Sequence, residues 1–272
     1  MIRIITSLVV AVCAIASAHA DERFITLSST TSTQDSGLFG HILPIFTAAS
    51  GISVHVVAVG TGQALAIGAR GDADALLVHD RVGEDKFVAD GSGIDRRDVM
   101  YNDFVIVGPG SDPAHIRGLK DAREALGRIA RSAAPFASRG DDSGTNRMEL
   151  RLWKSAGVQP DPHSGWYRDL GQGMGATLNI SAAMNAYTLT DRGTWANFKN
   201  RRGLEILAQD DPALFNPYGS ILVNPEKWTR VKYSDAKTWH QWLTSKAGLD
   251  AITSYRINGE QLFFPPRPTT TN

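Results

Sequence analysis

Eight consecutive residues, Ser138-Arg139-Gly140-Asp141-Asp142-Ser143-Gly144-Thr145, carry the densest chemistry in the chain. They follow a short β-compatible apolar segment, Ala134-Pro135-Phe136-Ala137, and precede Asn146 to Trp153, whose apolar residues fall at helical spacing. A small-residue turn that opens a helix leaves the first backbone N–H groups unpaired, and the helix dipole adds partial positive charge there. Ser143 and Thr145 add hydroxyl donors, Gly144 lets a ligand approach the backbone, and Arg139 supplies a charged planar fork. The set reads as an anion cradle. It reads equally as a capped helix start in which Arg139 pairs with Asp141 or Asp142.

Two further stretches repeat the chemistry in weaker form. Phe24 to Ser28 reads as a strand and runs into the hydroxyl series Ser29-Thr30-Thr31-Ser32-Thr33, ahead of a helix expected over Leu38 to Ala49. One hydroxyl there is an ordinary cap; five in a row suggest a donor array, with a Ser/Thr turn as the plainer account. The strand Ser53 to Val59 is followed by Gly60-Thr61-Gly62-Gln63 and a helix from Ala64 to about Ala69. That loop lacks the third glycine of a dinucleotide fingerprint and the Lys-Ser/Thr of a nucleotide P-loop, leaving Thr61 and free N–H groups at a helix start. Asp72 to His79 gives a third, buried strand. Strands alternating with short helices predict a parallel sheet, with ligand groups at its C-terminal ends. Both weaker stretches fall there.

The elements that must hold these residues continue through a helix closing over Phe87 to Gly93 and a long strand from Tyr101 to Pro109. A helix follows around Leu119 to Ala130. Beyond the octet come a strand at Trp166 to Leu170, the loop Gly171-Gln172-Gly173-Met174-Gly175, and a helix to about Asn185. That glycine-rich loop either shapes a cleft rim or simply caps its helix. Ala186 to Thr190 and Leu204 to Ala208 read as strands, with Asp191 capping a short helix between them. Asn216 to Pro225 reads as a second long strand, and helices are expected over Ser234 to Leu243 and Lys246 to Tyr255. The Pro/Thr-rich tail, 266–272, is expected to be disordered.

The chain opens with Arg3, an apolar stretch too short to span a bilayer, and Ala18-His19-Ala20, which together predict a secretory signal peptide over 1–20. The single cysteine, Cys13, lies inside it, so the mature chain offers no disulfide and no thiolate. An exported, cysteine-free chain fits the bacterial periplasm. Charges balance at 28 basic and 28 acidic residues, and loss of Arg3 changes this to 27 against 28, which gives no support to a nucleic-acid partner. The histidines of the mature chain (His41, His55, His79, His115, His163, His240) show no metal-ligand pairing, so no free metal cation and no cofactor are expected. Asp72 and Asp74 read as structural caps, and Trp239 and Trp242 as packing residues. A serine hydrolase built on Ser143 lacks a Gly-x-Ser-x-Gly elbow and an assignable base. A signalling sensor lacks any output segment.

Ser29 to Gly37, Val59 to Leu65, Asp72 to His79, Asn102 to Pro109, the octet 138–145, Gly171 to Leu178 and Asn258 to Phe264 together resemble the tungstate-binding periplasmic component of bacterial ABC transporters. The likeness spans Phe24 to about Pro265. It implies a two-lobed α/β fold of the type II periplasmic binding protein class, each lobe a mostly parallel sheet with flanking helices. The crossing strands would lie near Asp103 to Gly108 and Tyr218 to Asn224. Lobe one would comprise 21–105 plus 219–265, and lobe two 106–218. The implied ligand is tungstate or molybdate, the implied partner a membrane permease, and the implied state a monomer. Tungstate is a fully deprotonated dianion that only accepts hydrogen bonds, so a donor site is expected from Thr30, Thr31, Ser32, Thr61, Arg139, Ser143, Gly144 and Thr145. Asp141 and Asp142 should point away, holding Arg139 or capping the helix. A similar Arg…Ser-Gly-Thr grips phosphate in related proteins, so phosphate or sulfate stays open as the ligand.

Overall fold

The computed structural model describes residues 23–266; the expected signal peptide and the tail beyond residue 266 lie outside them. β1 (Phe24–Thr30) leads through a single turn, α1 (Thr31–Asp35), into α2 (Leu38–Ser50). β2 (Ser53–Val59), α3 (Thr61–Ala69), β3 (Ala75–Val78) and α4 (Arg81–Ala89) follow, and then the long β4 (Gly93–Pro109). The middle of the chain holds α5 (Ala122–Ser132), β5 (Phe136–Ser138), α6 (Gly144–Ser155), β6 (Tyr167–Asp169), α7 (Met174–Met184), β7 (Thr188–Asp191), α8 (Arg192–Asn197) and β8 (Leu204–Ala208). The chain returns on β9 (Phe215–Val223), followed by α9 (Tyr233–Leu243), α10 (Lys246–Ser254) and a two-stranded ribbon, β10 (Arg256–Ile257) with β11 (Glu260–Gln261).

The first three strands lie parallel in the order β2-β1-β3, as βα alternation requires. β9 then adds antiparallel to β3, and β4 antiparallel to β9, extending the sheet across the molecule. Past Asp103 the same β4 exchanges partners. It pairs antiparallel with β7 from Phe104 to Val107 and with β8 from Ile106 to Pro109. β4 therefore belongs to both sides of the structure. Parallel pairing holds within β1–β3 and between β5 and β6, while β4 and β9 meet their neighbours antiparallel.

Alternation along β4 divides the core, because successive side chains face opposite ways. Phe104 and Ile106 enter a cluster with Leu126, Ile129, Phe136, Trp153 and Tyr187. Val105 and Val107 enter another with Met174, Leu178 and Trp195. A third cluster, around Ile25, Leu27, Ile42, Phe46, Leu222 and Trp239, packs α2, α9 and α10 against β1 and β9. Trp239 and Trp242 do pack, stacked with ring centroids 5.6 Å apart.

Two sequence expectations need correction. Phe87 to Gly93 does not close a helix: α4 ends at Ala89, and Gly93 already pairs with Val223 as the first residue of β4. Charged residues in this early part of β4 are paired, Arg96 with Glu84 on α4 at 2.8 Å and Arg97 with Asp95 at 2.7 Å. Likewise α3 begins at Thr61 rather than Ala64, so Thr61 occupies the first helical turn.

Candidate functional site

The hydroxyl series, the Gly60 loop and the octet converge where the C-terminal ends of β1, β2 and β3 face the N-terminus of α6. Thr30 ends β1 in extended geometry and caps α1, its Oγ1 accepting from Thr33 N at 3.3 Å. Ser143 caps α6 in the same manner, its Oγ accepting from Asn146 N at 3.2 Å. These caps turn the chain sharply enough that Thr30, Ser32, Thr61, Arg139, Ser143 and Thr145 all become buried, at 0–1% exposure. Gly140, with φ +59°, supplies the left-handed turn between Arg139 and Asp141.

Contacts across the junction are polar and specific. Thr61 Oγ1 accepts from Gly144 N at 2.7 Å, and Gly62 N donates to Asp142 O at 3.3 Å. Arg139 Nη2 donates to Thr31 Oγ1 at 3.0 Å and to Asp141 Oδ2 at 2.5 Å. Asp141 Oδ1 also accepts from Ser143 N at 3.3 Å, so this carboxylate braces the guanidinium against the helix start. Asp142 departs from expectation. It neither holds Arg139 nor caps the helix, but takes Arg147 through both oxygens, each at 2.8 Å, because its positive φ swings the side chain outward.

Among the described residues, Arg139 Nε and Nη1 and Thr145 Oγ1 are buried without a hydrogen-bond partner. Such donors cost roughly 1–3 kcal/mol each if left unmade, and a guanidinium in that state calls for an acceptor. A tetrahedral oxyanion fits the donor set: one cation, hydroxyls on both sides, and a helix N-terminus. The carboxylates near Arg139 respond to the same burial. Asp191 is pushed up to about 6, chiefly by desolvation, and Asp35 is also raised by desolvation against the Gly175 N–H that it accepts at 3.1 Å. The glycine-rich loop thus seats against α1, with Gly173 as the N-cap of α7.

Sequence reasoning passed over three contributors. His79, the residue just beyond β3, places Nε2 at 3.0 Å from Ser32 Oγ and 3.2 Å from Thr30 Oγ1. Asn216 on β9 holds its other nitrogen, Nδ1, at 3.0 Å. Asp80, 2% exposed, receives Arg147 at 2.7 Å and Arg151 at 3.2 Å from α6. The available signal was position: His79 and Asp80 follow the third parallel strand at its C-terminal end. Asp74, expected as a structural cap, accepts from Thr26 N and Lys232 N at 2.7 Å each, while Asp72 pairs with Arg70 and Arg230. Among the described residues Ser143 Oγ makes no hydrogen bond to a histidine; His79 Nε2 faces Ser32 and Thr30 instead. A separate cavity of about 500 Å³ is lined by Asp103, Asp210, Asp211 and Glu260 as well as Arg192. Arg192 there is already engaged by Asp103 at 2.6 Å, so the lining repels a dianion.

Comparison with known proteins follows the same lines. A family model described as a PBP superfamily domain matches residues 16–247. The chain is 45% identical over 245 residues to the tungstate-binding protein TupA of Peptoclostridium acidaminophilum, covering 89% of this chain and 85% of that one. Among solved structures, the tungstate ABC transporter protein of Geobacter sulfurreducens is 52% identical with a TM-score of 0.80, over 86% of this chain and 99% of that one. The tungstate binding protein TupA of Desulfovibrio alaskensis is 42% identical with a TM-score of 0.75, over 90% and 99%.

Proposed function

Because this chain belongs to the tungstate-binding proteins of ABC transporters, with their type II periplasmic binding fold, we propose that it captures tungstate, and molybdate with it, and delivers the anion to a membrane permease. It does so in the periplasm, as a monomer, and performs no chemistry on the ligand. The observation that carries this reading is the buried Arg139, whose Nε and Nη1 lack partners beside the equally unpartnered Thr145 Oγ1. Thr30, Thr31, Ser32 and Thr61 supply hydroxyls from one lobe, 21–105 plus 219–265. Arg139, Ser143 and Thr145 supply charge and hydroxyl donors from the other, 106–218, beside Gly144, whose N–H already donates to Thr61. β4 and β9 join the lobes, and an anion touched by both stabilises only the closed arrangement.

Titration calorimetry with tungstate, molybdate, sulfate and phosphate tests the assignment. Tungstate and molybdate should bind one per chain, with sulfate weaker by about tenfold or more because its shorter bonds leave some donors out of reach. Phosphate or sulfate binding on equal terms with tungstate would reduce the assignment to the oxyanion class.

A further inference from the structure

The binding site is not made of donors alone. His79 is buried between the hydroxyl series and α6, and a Cβ added to Gly144 would lie 3.1 Å from its ring. Asn216 Nδ2 is directed at Asn102 Oδ1, 2.6 Å away, and at Tyr218 Oη, 3.4 Å away. That orientation leaves Asn216 Oδ1 as acceptor for His79 Nδ1–H, so Nε2 carries a lone pair. The lone pair accepts from Ser32 or Thr30, and Thr30 Oγ1 is itself linked to Ser32 Oγ at 3.1 Å and Thr33 Oγ1 at 2.7 Å. The hydroxyl protons proposed for the anion are therefore the same ones that satisfy His79.

Resting on the tungstate reading above, we infer that His79 takes up a proton as the oxyanion enters, so that anion capture is coupled to proton uptake. When Thr30 and Ser32 turn their O–H groups to the anion, Nε2 loses its donors in a buried place. A proton drawn from the solvent buffer forms Nε2–H, which then donates to the freed oxygen lone pairs of Ser32 or Thr30. No other bond changes. The groups around the ring set the balance. Arg139 from the octet opposes a charge on His79, Asp80 on the following turn favours it, and Asn216 and Tyr218 from β9 with Phe104 from β4 complete the surroundings. Burial and then Arg139 hold the imidazole near 4. A dianion beside the ring acts with Asp80 and reverses that preference. His79 is thus a positioning and charge-matching residue for this site.

Calorimetry of the full chain with micromolar tungstate at pH 6.5, in PIPES and in imidazole buffers, reads the proton directly. The two apparent enthalpies should differ, per anion bound, by close to the difference between the ionisation enthalpies of the two buffers. Affinity should fall by up to about tenfold per pH unit as pH rises through the bound-state titration. His79→Gln should give equal enthalpies in the two buffers and a flat pH profile. Equal enthalpies for the wild-type chain, with tungstate still bound, would overturn the coupling and leave the ligand assignment standing. Absence of tungstate binding in both buffers would overturn the ligand assignment, and the coupling with it.

Discussion

Thr61 Oγ1 accepts the backbone N–H of Gly144 at 2.7 Å, joining the first turn of α3 to the first turn of α6. Two groups expected to bind the ligand side by side are thus bound to each other. The N–H is committed to Thr61, and the Thr61 hydroxyl hydrogen is what remains to offer an anion. Thr61→Ala removes both the bridge and the donor, whereas Thr61→Ser keeps them. A neutral hydrogen bond is worth about 0.5–1.5 kcal/mol net, so Thr61→Ala should weaken tungstate binding about 2- to 12-fold and Thr61→Ser much less. Calorimetry on both variants checks this.

α4 and α6 also meet away from the proposed ligand site. Asp80, at the start of α4, faces Arg147 and Arg151 on α6, and Arg147 also holds Asp142. The two pairs to Asp80 exist only while α4 and α6 stand together. Replacing both arginines by alanine should leave the fold intact and shift the population toward an open form. Small-angle scattering should show a larger radius of gyration for Arg147→Ala/Arg151→Ala than for the wild-type chain without ligand. Saturating tungstate should bring both to the same compact value. Identical profiles in all conditions would count against hinge motion.

The hydroxyl series and the octet were readable in the sequence because caps and turns are local. Ser143 and Thr30 cap the helices that follow them by accepting from backbone N–H groups three residues on. His79, Asp80 and Asn216 were not readable as site residues. Their roles depend on β3 lying between β1 and β9, and the β3–β9 pairing joins positions more than a hundred residues apart, as Val78 with Gly219. The start of β4 was misread for a related reason. Arg96 finds Glu84 on α4 and the segment pairs with β9, so the strand expected from Tyr101 begins at Gly93.

Glu149 lies beneath the octet on α6, buried, accepting from Tyr167 Oη at 2.8 Å and Trp153 Nε1 at 3.0 Å. Desolvation is the largest influence on it and pushes it up to about 7, above its unfolded value of 4.5. Between those values the folded chain holds a proton that the unfolded chain has lost, so this residue's contribution to stability falls as pH rises from 4.5 through 7. Glu149→Gln keeps an acceptor for both donors and removes the charge. Its melting temperature should match the wild type near pH 5 and exceed it at pH 8, by about 1–3 kcal/mol in stability terms. Equal melting temperatures at both values would show that the carboxylate is not strained by burial.

The account stands most directly on Arg139. A charge-assisted bond contributes about 1.5–3 kcal/mol, against about 0.5–1.5 kcal/mol for each neutral donor, and a buried dianion needs a cation beside it. Lysine keeps the charge and loses the planar fork. The deciding measurement is tungstate calorimetry on Arg139→Ala and Arg139→Lys, with melting curves as the folding control. Arg139→Ala should bind about 10- to 150-fold more weakly than wild type, Arg139→Lys should fall between them, and both should melt cooperatively. If Arg139→Ala bound tungstate as the wild type does, Arg139 would be no more than the partner of Asp141, and the proposed site would be wrong.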